Sequence, residues 1–179
     1  MSLHHDLLEQ ARHLAVREPK RPRQASLRRA VSTAYYALFH FMGEEATREL
    51  IGAGPQHKAL RQLACRSLAH GKIKAVCIEF QKTPPKQSLQ RFWNPLRVQA
   101  NADLREVCKT FADLQQARHA ADYDRSQTVS RASALDACKQ AKEAIEAWDR
   151  LKSSDPALLH FFATVLLLWP GLTQPGAGG

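Results

Sequence analysis

Along this chain the apolar positions return every three or four residues, the period of an amphipathic helix; the two-residue alternation of a half-buried strand is rare. Leu7, Leu8, Ala11, Leu14 and Ala15 predict a first helix over residues 3–17, stopped by the "EPKRPR" connector. From Arg23 to Ile51 there is no proline and only Gly43, which predicts the longest helix. On it Leu27, Val31, Ala34, Tyr35, Leu38, Phe39, Phe41 and Met42 fall on one broad side, and Arg29, Thr33, Tyr36, His40 and Glu44 form a stripe opposite. "GAGP" at 52–55 breaks it, and Ala59–His70 reads as a shorter helix.

The pattern degrades between Gly71 and Arg97. "IKAVCIEF" fits a short strand or a helix fragment, and "TPPK" and "NPL" are breakers. Periodicity returns in Leu104, Val107, Cys108, Phe111 and Leu114, predicting a helix over 98–123. It continues from Val129 to Leu151. Asp155-Pro156 supplies a cap and a first-turn proline for a short apolar terminal helix. The expectation is an all-α, up-down bundle of four or five main helices with short additional helices, one domain over residues 1–170 and a disordered tail over 171–179.

Composition refines this picture in three ways. A net charge of +9 suits a polyanionic partner, and its distribution is uneven: residues 1–90 hold 15 Lys/Arg against 7 Asp/Glu, residues 91–179 hold 11 against 10. Cys65, Cys77, Cys108 and Cys138 show no metal-ligand spacing and read as reduced thiols of a cytoplasmic protein. "MSLHHDLLEQ" carries acids where an export signal needs a basic and then an apolar run, and the apolar stretch Ala157–Trp169 is too short to span a bilayer. Gly-rich phosphate loops, His-Glu-x-x-His and Gly-x-Ser-x-Gly are absent, so ordinary metabolic catalysis lacks support, and neither a metal nor a cofactor is expected.

Two regions invite a functional reading. Lys72, Lys74, Lys82, Lys86, Arg91 and Arg97, with Phe92 and Trp93, make the middle segment basic and aromatic, as a nucleic-acid patch requires; Lys20, Arg21, Arg23, Arg28 and Arg29 gather around the start of the long helix. The alternative is a solvated edge whose Trp93 anchors it to the bundle. The second region is "QARHAADYDR", residues 116–125. Angular counting sets Arg118 between Val107 and Phe111, and Asp122 in line with Leu104, at the end of the core-facing stripe. Arg before acid at i, i+4 is the poorer order for a helix, and an acid near the C-terminus opposes the macrodipole. Helix stability therefore does not account for the pair. Either it tethers a neighbouring helix, or it holds Arg118 ready for a phosphate or another helix.

Together, "SLRRAVSTAYYALFHFM" and "DLQQARHAADYDR" resemble the two signature regions of the HEPN superfamily, small helical bundles of prokaryotic conflict and toxin-antitoxin systems. The resemblance covers roughly residues 3–165. It implies a HEPN-like fold, a homodimer, RNA or nucleotide binding, and a nucleotidyltransferase or antitoxin as partner. It points to Ser32, Tyr35, Tyr36 and His40 on the first helix and to Arg118, Asp122 and Tyr123 on the second. Ribonuclease members carry Arg, four to six residues, then His; here Tyr123, Asp124 and Arg125 occupy the His positions, and His119 lies about 100° around the helix from Arg118. The departure favours a non-catalytic binding module. A metal-independent endoribonuclease using Arg118 with His40 or His119, and a structural subunit beside a nucleotidyltransferase, are the alternatives.

Overall fold

The computed structural model describes residues 2–82, 86–96, 98 and 101–173; Arg97 and residues 174–179 of the expected tail lie outside the described residues. Every element among them is helical: α1 (Leu3–Val16), α2 (Gln24–Ile51), a 3-10 turn (Pro55–His57), α3 (Lys58–Arg66), α4 (His70–Glu79), α5 (Gln87–Trp93), α6 (Ala102–Tyr123), α7 (Arg131–Ser154) and α8 (Pro156–Thr173). Residues 171–173, expected in the tail, extend α8 instead, although Pro170 and Gly171 are both poor helix formers.

α2 is the axis of the bundle, touched by α1, α3, α6, α7 and α8. Its width of burial follows from its composition. Ala30, Ala34, Ala37, Gly43 and Ala46 let neighbouring backbones approach, while Leu27, Tyr35, Leu38, Phe41 and Met42 fill the gaps between them. Across the core Phe41 meets Trp148 of α7 edge-on, and Trp148 meets Phe162 of α8. α2 and α6 run antiparallel: Tyr35 packs on Phe111, and Ser32 reaches Asp122. α2 ends where Gly52 takes φ 99°, a conformation that disfavours a Cβ, while its N–H bonds the Arg48 carbonyl.

Local capping explains where the later helices start. The Asn101 side chain accepts from Leu104 N–H at 2.8 Å, the Ser130 hydroxyl from Ser133 N–H at 3.0 Å, and Asp155 Oδ1 from Leu158 N–H at 3.1 Å.

The middle segment differs from expectation. The helix expected over Ala59–His70 ends at Arg66; Leu68 turns inward over Gly43, Ala69 is extended, and α4 begins at His70. Of the two readings of "IKAVCIEF" the helical one holds: Ile73–Glu79 form most of α4, Phe80 caps it, and Ile73, Val76, Cys77 and Phe80 are buried. Its buried acid, Glu79, pairs with Lys82 at 3.0 Å and accepts from Lys86 N–H at 2.5 Å, tying the segment before α5 to α4. All four cysteines are free thiols, Cys65 half-buried and the others buried. No helix among the described residues is long and apolar enough to cross a membrane.

Candidate functional site

The C-terminal half of α6 lies along the side of α2 that carries Ser32, Tyr36 and His40, so "SLRRAVSTAYYALFHFM" and "DLQQARHAADYDR" meet side by side. Arg118 is the centre of the contact. Its Nη2 donates to the Tyr36 hydroxyl at 3.1 Å, and its Nε lies 2.8 Å from Asp122 Oδ2, off the N–H axis, as an ion contact. Asp122 is fixed in turn by the Ser32 hydroxyl, which donates to Oδ1 at 2.5 Å. The guanidinium carbon sits 5.6 Å from the Tyr36 ring centre and 5.7 Å from that of Tyr123. Side-chain exposures of 19% for Arg118 and 27% for Asp122 place the pair at the rim of the seam, wetter than the apolar line predicted.

Electrostatics keep this group charged. Partial burial opposes the charge, but Tyr36, Asp122 and Tyr123 outweigh it, and the Arg118 pKa is raised. Nη1 has no hydrogen-bond acceptor among the described residues. A guanidinium held by two neighbours, with donors left over and rings beside it, has the chemistry to pair with an anion.

His70, the first residue of α4, completes the cluster and was not among the sequence-predicted residues. Tyr35 OH and His70 Nδ1 are 2.8 Å apart; the imidazole lies 4.0 Å from the Phe39 ring and edge-on to Tyr36 at 5.7 Å. Desolvation, then the charges of Arg118 and His40, lower its pKa, so it is neutral at pH 7. Burial of Tyr35 raises its own pKa well above the tyrosine range. No local pattern in "LAHGK" marks His70, because its partners lie more than thirty residues away. His40 is exposed and stacks on Tyr36 at 6.3 Å between centroids; His119 is exposed beside Tyr123 at 4.9 Å. Arg29 lies further along α2, exposed, with no ion pair to the cluster among the described residues.

The other predicted patch lacks an exposed tryptophan for stacking. Trp93 is 2% exposed and packs on Phe80 at 4.9 Å, so it anchors the core and has no face for a base. Lys72 Nζ donates to the Leu167 carbonyl of α8 at 2.8 Å, Lys82 is paired with Glu79, and Lys86 lies over the Trp169 ring. Lys74 is half-buried, Phe92 is exposed, and the Arg91 side chain lies outside the described residues. Arg28 is also committed: its guanidinium donates to the carbonyls of Ala121, Asp124 and Gln127, closing the end of α6. Lys20, Arg21 and Arg23 remain exposed. Among the described residues no group of three His, Cys, Asp or Glu is placed to hold a metal ion.

No family model, curated protein or solved structure matches this chain.

Proposed function

We propose that this chain is a HEPN-like helical module that binds RNA or a nucleotide by its phosphate, with Arg118 as the contact. One observation carries the reading: a charged guanidinium at the rim of the α2–α6 seam, oriented by Asp122 and Tyr36, flanked by an exposed tyrosine and with Nη1 unbonded. The basic excess of residues 1–90, including exposed Lys20, Arg21, Arg23 and Arg29, adds long-range attraction for a polyanion. The homodimer, the conflict-system setting and a nucleotidyltransferase or antitoxin partner come from the HEPN resemblance alone. A mass measurement in solution and a pull-down without nucleic acid test them.

The test of binding is fluorescence anisotropy of a labelled single-stranded RNA across a salt series. Affinity should fall steeply with salt, Arg118→Ala should lose about tenfold or more, and Arg118→Lys should recover part, since a point charge replaces a fork. Salt-independent binding, or binding indifferent to Arg118→Ala, overturns the reading.

A second reading, metal-independent RNA cleavage, draws support from the placement of neutral His70 against Tyr35 and Tyr36, whose hydroxyl Arg118 also bonds. In it an imidazole accepts the 2′-hydroxyl proton, the 2′-oxygen attacks the adjacent phosphate, the P–O5′ bond breaks as the imidazolium returns that proton to the 5′-oxygen, which leaves as an alcohol, and Arg118 stabilises the phosphorane. RNA incubated in EDTA decides between the two. Products ending in 2′,3′-cyclic phosphate that vanish with Arg118→Ala and with His70→Ala, but survive His119→Ala, establish cleavage; intact RNA leaves the binding module.

A further inference from the structure

Beside Arg118, at the C-terminal end of α6, is a cleft of about 440 Å³ that the fold itself does not use. Gln116, His119, Tyr123, Asp124 and Gln127 line it. Tyr123 is 65% exposed, and its ring and that of His119 stand 4.9 Å apart at 49°, forming a V on the cleft wall. A single exposed ring calls for no explanation. Two rings in line with a guanidinium present a run of flat π surface to solvent, and the core takes nothing from it.

Asp124 narrows the class of ligand. Its Oδ1 accepts from both the N–H and the hydroxyl of Ser126, at 2.9 and 2.6 Å, and Oδ2 takes neither bond. The Ser126 hydroxyl and backbone bonds hold its carboxyl below the ordinary range, with Gln127 N–H and Arg28 assisting. The cleft thus carries a fixed, charged, acceptor-only group within the lining that holds the aromatic V, and the side-chain amides of Gln116 and Gln127 stand beside it. A phosphate would be repelled there. A phenylalanine of a peptide would satisfy the rings and leave the carboxylate without a donor, and a tyrosine or tryptophan would supply a donor but bring no phosphate to Arg118. A flat heteroaromatic ring with an exocyclic amino group satisfies both, and a phosphate carried on the same nucleotide suits the guanidinium whose carbon lies 5.7 Å from the Tyr123 ring centre.

We propose that this cleft is a nucleobase subsite for single-stranded RNA that prefers amino-bearing bases, adenine and cytosine among them, over uracil, whose N3–H is flanked by two carbonyl acceptors. The proposal rests on the phosphate-binding reading above. In it Tyr123 and His119 supply stacking and Asp124 reads the amino edge.

Anisotropy of five-nucleotide oligo(A), oligo(C) and oligo(U) RNAs at one salt concentration tests it. Oligo(A) and oligo(C) should bind about tenfold more tightly than oligo(U). Tyr123→Leu should weaken all three by about five- to a hundredfold, as the loss of one stacked base does. Asp124→Asn, which keeps an oxygen for Ser126, should bring the three affinities together. Should Tyr123→Leu fail to fold, His119→Ala takes its place. Equal affinities that ignore Tyr123→Leu and His119→Ala, while Arg118→Ala still abolishes binding, overturn the base subsite and leave the phosphate reading standing. Absence of binding by all three RNAs to the wild-type protein overturns both.

Discussion

The Ser32 hydroxyl, fully buried on α2, donates to Asp122 Oδ1 of α6 at 2.5 Å, so the acid that orients Arg118 is itself oriented from the opposite helix. Ser32→Ala removes a charge-assisted bond, yet solvent reaches Asp122, and the loss should be about 1–2 kcal/mol. Asp122→Ala leaves a buried hydroxyl without its acceptor and should cost about 2–3 kcal/mol. Because both changes break one interaction, the double variant should lose less than the two losses added, by about 1 kcal/mol, in a urea-denaturation cycle. Additive losses would mean that the two side chains do not cooperate.

Arg28 binds the end of α6 through three carbonyls, those of Ala121, Asp124 and Gln127, where a helix exposes its unpaired acceptors and its negative end. Arg28→Met keeps the stem and removes the donors. Unfolding free energy should drop by about 2–3 kcal/mol. Amide hydrogen exchange should quicken in residues 121–128 ahead of the rest of the chain. Since that segment also carries Asp124, discrimination between oligo(C) and oligo(U) should shrink in the same variant.

Much of the architecture is legible as periodicity. The bounds of α1, α2 and α7 follow from runs of apolar residues long enough to average out exceptions, and Asp155-Pro156 marks the α7–α8 junction by chemistry alone. The contact between Arg118 and Asp122 is legible too, because i, i+4 spacing brings them together on any helix. The region between α3 and α6 is less so. α4 and α5 are ten and seven residues long, too short for a period to declare itself, and α4 buries a carboxylate, Glu79, whose acceptors serve Lys82 and Lys86. Trp93 reads as an anchor more readily than as a stacking platform, and its packing on Phe80 decides for the anchor. His70 joins Tyr35, Tyr36 and Phe39 only through the turn at Leu68, a tertiary event without a local signature.

Acidification should destabilise the bundle through the imidazoles whose pKa the fold lowers, those of His4, His40 and His70. Burial lowers the pKa of His4, packed edge-on to Phe41; His5 lowers it further, and Glu44, Glu45 and Asp149 partly offset the fall. His70 is lowered in the same direction. A histidine with a folded pKa below its unfolded value of about 6.5 binds more protons unfolded, so its contribution is complete above that pH and is lost as pH falls through the folded value. Unfolding free energy should therefore decline from pH 7 to pH 5. Each slope stays below the limit of about 1.4 kcal/mol per pH unit, because solvent reaches part of each ring. His4→Gln and His70→Gln should each flatten the profile, measured by urea titration at fixed ionic strength. A profile unchanged by both would assign the acid sensitivity to His40, whose pKa partial desolvation also lowers, or to carboxylates.

Two glycines should respond to alanine with opposite sign. Gly52 closes α2 at φ 99° and ψ 152°, where a side chain is strained, and an added Cβ would come within 3.3 Å of His57 Cδ2. Gly52→Ala should lower stability by about 1–3 kcal/mol. The loss bears on the site by a short route: Gly52 O accepts from Arg61 of α3, and α3 leads through Leu68 to His70. Gly71 has an ordinary helical place in the first turn of α4, and an added Cβ meets nothing within 4 Å. There alanine only narrows the unfolded ensemble, and Gly71→Ala should raise stability by about 0.5–1 kcal/mol. Thermal unfolding of the two variants beside the wild type checks the pair. A destabilised Gly71→Ala would mean that α4 does not begin at His70, and with it the position of that imidazole against Tyr35 and Tyr36 would fall.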